Sequence, residues 1–263
     1  MKSVTIKTLQ DMKDSKEKFC CITAYDAIFA RIVSEAGSET ILVGDSLGMV
    51  LQGHDNTIPV TIENMAYHTA SVCRGNKGSL VIADLPFMSY ATAEQTLASA
   101  TQLMRAGAQM VKLEGGTWLC NSISMLVERG IPVCAHLGLT PQSVNVFGGF
   151  HVQGRQPKQA KSILADAVAI QDAGASLLVL ECIPAELAAD ISGKLRIPVI
   201  GIGAGADTDA QVLVLHDLLG LTDNPARFVQ NFMDGQSSIA DGVKAFVDAV
   251  KSGKYPKEEH SYS

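Results

Sequence analysis

Asp45, Asp84, Glu114, His136 and Glu181 each close a short run of apolar residues, and Lys112 stands two places before Glu114 in one of those runs. A carboxylate buried within apolar sequence costs several kcal/mol unless it is paired or bound to a cation. Acids so placed are therefore expected where a strand reaches a polar rim. Lys112 and Glu114, two residues apart, share one face of an extended strand. Asp45, Asp84 and Glu114 offer only oxygen, the donor that hard cations such as Mg²⁺ and Mn²⁺ prefer. Coming from different strands, they can face one ion from different directions; alternatively, one of them pairs with Lys112. A zinc site is disfavoured because His and Cys do not cluster. His54 and His68 lie away from the ends of the runs and suit surface or capping roles. His136 can be a ligand, a satisfied core histidine or a hydrogen-bond donor near a substrate, and the donor role is favoured. Tyr25, Asp26, Ser46, His216 and Asp217 also fall at the ends of apolar runs. For Asp26 a helix cap is at least as good a reading as catalysis.

Something must bring these residues together. Gly37, Gly107 and Gly174 each end a helical pattern, and each is followed by a short apolar run closed by an acid: Asp45, Glu114 and Glu181. Glycine after a helix is a C-cap signal, because a residue without Cβ enters the left-handed region cheaply. Runs of this length, apolar on both faces, read as buried parallel strands. Eight such strands are expected, at 19–24, 40–45, 79–84, 109–114, 131–136, 176–181, 197–202 and 211–216. Between most of them lie helical patterns, at 92–106 (opened by a Thr92/Gln95 capping box), 161–173, 186–195 and 241–251. The alternation predicts an α/β fold, a (β/α)8 TIM barrel, with an open doubly wound sheet as the alternative. No linker, low-complexity segment or charge run divides the chain. One domain over 1–263 is the expected organisation.

The chain has 263 residues, 47% of them hydrophobic and 18% charged, which suffices for a large core. A formal net charge of −6 disfavours nucleic acid and anionic membranes as partners. The first residues mix Lys with Asp and Glu and lack an apolar core, unlike a secretory signal. No run approaches the roughly 20 apolar residues that span a bilayer. A cytoplasmic location is expected. The six cysteines, Cys20, Cys21, Cys73, Cys120, Cys134 and Cys182, form no C-x-x-C pair. Packing is the favoured role for Cys182, although it follows Glu181 directly. Residues 140–160 are long for a connection and are expected to be a lid or an oligomer contact. Gly201 to Ala206 formally satisfies G-x-G-x-x-A, but follows the seventh strand and not the first of a βαβ pair, so a dinucleotide site is not expected. Close backbone approach to a substrate is the expectation there.

Seven segments, 43–61 (VGDSLGMVLQGHDNTIPVT), 83–90 (ADLPFMSY), 105–116 (RAGAQMVKLEGG), 136–155 (HLGLTPQSVNVFGGFHVQGR), 179–184 (VLECIP), 199–205 (VIGIGAG) and 255–261 (YPKEEHS), resemble the ketopantoate hydroxymethyltransferase family. The resemblance runs in order over nearly the whole chain, with no departure at a matching site position. It implies a (β/α)8 fold, one divalent cation per subunit (usually Mg²⁺), and a cytoplasmic homo-oligomer, typically a decamer. The implied reaction moves a one-carbon unit from the co-substrate 5,10-methylenetetrahydrofolate to 3-methyl-2-oxobutanoate, giving 2-dehydropantoate. Carried over, Asp45 and Asp84 are metal ligands, with Glu114 close to or on the metal. Asp45, Ser46, Asp84 and Lys112 contact the keto acid, His136 joins them as a donor, and Glu181 is the proton acceptor.

The residue types suit that reaction. C3 of the keto acid is a poor carbon acid, and a Lewis acid at the keto oxygen and carboxylate stabilises the enolate. Glu181, between an apolar strand and Cys182, has surroundings that strengthen a base. Lys112 can neutralise substrate charge. Two rivals are a Mg²⁺-dependent lyase or mutase of 2-oxo acids resembling isocitrate lyase, and a non-catalytic keto-acid-binding barrel. The first lacks its K-[KR]-C-G-H loop here. The second leaves the full set of acids and Lys112 without a purpose.

Overall fold

In the computed structural model, which describes residues 3–263, the three helix-ending glycines have φ of +93° (Gly37), +111° (Gly107) and +105° (Gly174). Each breaks its helix in the conformation that lets the chain turn directly into a strand. The strands are β1 Phe19–Thr23, β2 Thr40–Val43, β3 Leu80–Asp84, β4 Met110–Glu114, β5 Val133–Gly138, β6 Leu177–Glu181, β7 Val199–Ile202 and β8 Ala210–Leu213. They pair in parallel, in chain order, and β8 closes back on β1. The architecture is thus the expected (β/α)8 barrel and not the open sheet. Nearly every strand residue is buried, because the barrel interior covers one face and the helices cover the other.

Register aligns the chemistry. Asp84 on β3 is level with Lys112 on β4, Glu114 on β4 with His136 on β5, and Gly138 on β5 with Glu181 on β6. All five side chains therefore meet at the C-terminal rim. At the opposite end the helix Ile6–Asp14, opened by a Thr5/Thr8 capping box, buries Leu9, and its Lys13 pairs with Asp209 at 2.7 Å. Among the described residues no helix is long and apolar enough to cross a membrane.

The structure departs from the sequence reading in several places: β2 ends at Val43, ahead of Asp45, and β5 runs on past His136 to Gly138. β8 stops at Leu213, and Leu215–Leu218 is a short helix, so His216 and Asp217 are not strand-end residues. Thr92 caps Ala93–Arg105 by accepting from the Gln95 amide at 3.3 Å, but Gln95 does not return the bond to the Thr92 backbone. The helix expected at 161–173 begins earlier, at Pro157, since proline is preorganised for the first helical position. The glycines after β7 do not leave an open cradle. A Cβ on Gly203 would meet Phe228 at 2.8 Å and Tyr262 at 3.0 Å, and one on Gly205 would meet Ala185 at 2.6 Å.

Candidate active site

The turn after β2 carries Asp45 and Ser46 to the rim. Asp45 is buried, and its backbone N–H donates to Asp84 Oδ2 at 3.1 Å, so the two carboxylates are held side by side. Burial, then Asp84, then Glu114 raise the Asp45 pKa well above the usual carboxylate range. Burial likewise raises that of Asp84, against the attraction of Lys112. Lys112 Nζ lies 2.9 Å from Asp84 Oδ1 and 3.7 Å from Glu114 Oε1. Burial alone would discharge this ammonium, but Asp84, Glu114 and Asp45 together hold it charged.

His136 sits between two acids. Its Nδ1 is 3.4 Å from Glu114 Oε1 and 3.3 Å from Lys112 Nζ, while its Nε2 is 3.3 Å from Glu181 Oε2. Burial and Lys112 work against a charged imidazole, but Glu114 and Glu181 outweigh them and push its pKa up to about 9. Glu114 is buried too, yet His136 and Lys112 lower its pKa. Glu181 is the least enclosed of the group, with 16% of its side chain exposed. Gly138, at φ +92°, makes room for it: a Cβ there would stand 2.2 Å from the Glu181 carbonyl oxygen. Ser46 is reached from β1, through Tyr25, whose hydroxyl is 2.9 Å from Ser46 Oγ.

Every sequence-predicted site residue therefore reaches one rim, but the acids are not equivalent. Asp84 takes the Lys112 partnership. Glu114 has both oxygens engaged, Oε2 by the Gln142 backbone N–H at 3.0 Å and Oε1 beside His136 and Lys112. Among the described residues no three His, Cys, Asp or Glu side chains gather as a ready cation cage. What remains for a hard cation is the Asp45–Asp84 pair. Asp84 Oδ1 shares the Lys112 ammonium at 2.9 Å, and this one cation faces two crowded carboxylates that resist joint ionisation until further positive charge joins them. Mg²⁺ takes few carboxylates and keeps several waters, so this donor set fits it.

Asp26 is resolved as a cap. Its Oδ1 accepts from the amides of Ile28 and Phe29 at 2.8 and 2.9 Å, at the start of helix Ala27–Glu35. His54 is exposed, and His68 Nδ1 contacts the Tyr25 carbonyl at 2.7 Å. Cys182 is buried, at φ +46°, and burial raises its thiol pKa far from neutrality, which suits packing rather than nucleophilic attack. Two residues escaped the sequence reading. Gln142, in the turn Pro141–Ser143 after β5, donates from Nε2 to Asp45 Oδ2 at 2.8 Å, and Tyr90 OH donates to Gln142 Oε1 at 2.5 Å. Both are neutral and off the strands, where charge and periodicity give no signal.

A family model described as ketopantoate hydroxymethyltransferase matches residues 3–258. The chain belongs to that family. Members of the ketopantoate hydroxymethyltransferase family similar to it include the 3-methyl-2-oxobutanoate hydroxymethyltransferase 2 of Pseudomonas entomophila (strain L48), 58% identical over 100% of both chains. The enzyme of the same description from Hahella chejuensis (strain KCTC 2396) is 58% identical over 99% of both. Among solved structures, phosphonopyruvate hydrolase in complex with oxalate and Mg²⁺ superposes with a TM-score of 0.63, at 15% identity, over 97% of this chain and 100% of that one. A 2,3-dimethylmalate lyase of the PEP mutase/isocitrate lyase superfamily gives 0.60 at 16% identity, over 96% and 95%. At that identity the likeness shows the barrel fold alone.

Proposed function

We propose that this chain transfers a hydroxymethyl group from 5,10-methylenetetrahydrofolate to 3-methyl-2-oxobutanoate, giving 2-dehydropantoate and tetrahydrofolate, the step that commits the keto acid to pantothenate. Membership of the family supports the reaction. The observation that carries the mechanism is the meeting of Asp45, Asp84, Lys112, His136 and Glu181 on one rim.

Asp45 and Asp84 would hold one Mg²⁺, with Glu114 at the edge of that site. Bound there, the ion supplies Lewis acidity to the keto oxygen and carboxylate of the substrate. Ser46 Oγ, oriented by Tyr25, and the Lys112 ammonium bind the keto acid and fix its direction. Glu181 takes the proton from C3. His136 Nε2 stands at Oε2 of that carboxylate, which leaves Oε1 free to meet the substrate. The electron pair left on C3 forms the new bond to the folate methylene carbon as one of its two C–N bonds breaks. Water then displaces the second nitrogen and becomes the product hydroxyl, and the C3 proton and one proton of that water end on the two nitrogens of tetrahydrofolate. Lys112 and protonated His136 balance the negative charge that accumulates on the keto acid. Family likeness also supports a cytoplasmic homo-oligomer, with a decamer as the expected size.

Purified protein supplied with both substrates should release tetrahydrofolate and 2-dehydropantoate, and should stop on full chelation by EDTA and recover with Mg²⁺. Turnover that survives chelation would overturn the cation role, and no turnover with either metal or substrate in excess would overturn the reaction.

A further inference from the structure

Gln142 touches two of the three inner acids and one strand end. Its backbone N–H donates to Glu114 Oε2 at 3.0 Å, and its Nε2 donates to Asp45 Oδ2 at 2.8 Å and to the Leu85 carbonyl at 3.0 Å. It is 5% exposed. A carboxamide can turn over, exchanging its oxygen and nitrogen. Turned over here, Oε1 would face a carboxylate and a carbonyl, two acceptors with no proton between them. Tyr90 opposes that state by donating to Oε1 at 2.5 Å, the shorter of its two contacts, the other being the Glu114 carbonyl at 3.2 Å. Burial, with Glu114 nearby, raises the Tyr90 phenol pKa and so keeps it a donor. Tyr90 is braced by Trp118, whose ring lies nearly parallel at a centroid distance of 6.1 Å and an angle of 12°.

The consequence for Asp45 is directional. Its Oδ2 is spoken for, while Asp84 Oδ2 is held by the Asp45 N–H. Asp45 thus has one oxygen fixed and Oδ1 left to a cation, whereas Asp84 Oδ1 already faces the Lys112 ammonium at 2.9 Å. Resting on the cation role proposed above, the geometry points to Gln142 as a positioning residue, locked in one amide orientation by Tyr90, that holds Asp45 ready for the divalent cation. Groups that orient ligands in this way commonly change metal affinity 10- to 100-fold when removed.

The test uses Mn²⁺ alone as the probe, titrated into whole wild-type, Gln142→Leu and Tyr90→Phe proteins, with free Mn²⁺ read by electron paramagnetic resonance. Gln142→Leu should bind Mn²⁺ about 10- to 100-fold more weakly, and Tyr90→Phe should shift in the same direction by less. In turnover, the Mn²⁺ concentration for half activation should rise in step, and kcat should largely return at saturating Mn²⁺, which a merely damaged fold would not allow. Wild-type Mn²⁺ affinity in folded Gln142→Leu would overturn the positioning role alone. Where Gln142→Leu does not fold, unchanged affinity in Tyr90→Phe does so. A wild-type protein that takes up no Mn²⁺ overturns the cation reading and this inference together.

Discussion

His136 should make the cation-free protein lose stability across mildly alkaline pH. Its imidazole pKa rises from 6.5 to about 9 on folding, because Glu114 and Glu181 outweigh burial and Lys112. A group whose folded pKa is raised stabilises fully below its unfolded value and loses that contribution as pH climbs through the folded one. The window therefore runs from about 6.5 to about 9, and 1.36 kcal/mol per unit gives roughly 3 kcal/mol over it. Replacing His136 by Gln removes the titration at similar volume. Urea unfolding in EDTA, at steps of pH from about 6 to about 10, gives both stabilities. Subtracting the variant removes the titrations the two proteins share, and the difference should shrink by roughly 3 kcal/mol as pH rises. A difference that stays level, together with an imidazole NMR titration near 6.5, would refute the idea that Glu114 and Glu181 hold a proton on His136.

Three further outcomes follow from the site and its scaffold. Glu181→Gln should lose roughly 10²- to 10⁴-fold in turnover and in exchange of the C3 hydrogen with solvent. Exchange that persists in this variant would remove Glu181 as the base. Gly138→Ala forces a side chain at φ +92° against the Glu181 carbonyl oxygen, and should cost a few kcal/mol in denaturant unfolding and slow turnover as well. Asp26→Ala deletes only a helix cap; it should cost about 1 kcal/mol and leave kcat and KM unchanged, so a fall in kcat would return Asp26 to the chemistry.

The barrel was legible because its strands are apolar on both faces and are set off by glycines, a signal carried by local sequence. The charged part of the site was legible for the same reason: Asp84, Glu114 and Glu181 interrupt the apolar runs where they end. The end of β8 was not. Val212 to Leu215 is one apolar stretch, and periodicity over so few residues cannot separate a strand from the entry to a buried helix. The division of labour among the acids was hidden as well, since Lys112 had three carboxylates to choose from and register, a tertiary property, gave it Asp84. Gln142 was out of reach for a further reason. It meets Asp45 across 97 residues, and nothing local marks a neutral amide as the partner of a distant acid.

That long reach has a consequence for how the molecule comes into being. A chain that has emerged only as far as β4 carries Asp45, Asp84 and Glu114 but, of their side-chain partners, only Lys112. The amide that steadies Asp45, and the imidazole that steadies Glu114, arrive later with β5 and its turn. A four-stranded half would have to bury a surplus of negative charge, so it has little reason to close early during synthesis. On that reasoning the rim acids disfavour collapse until residues 136–142 arrive.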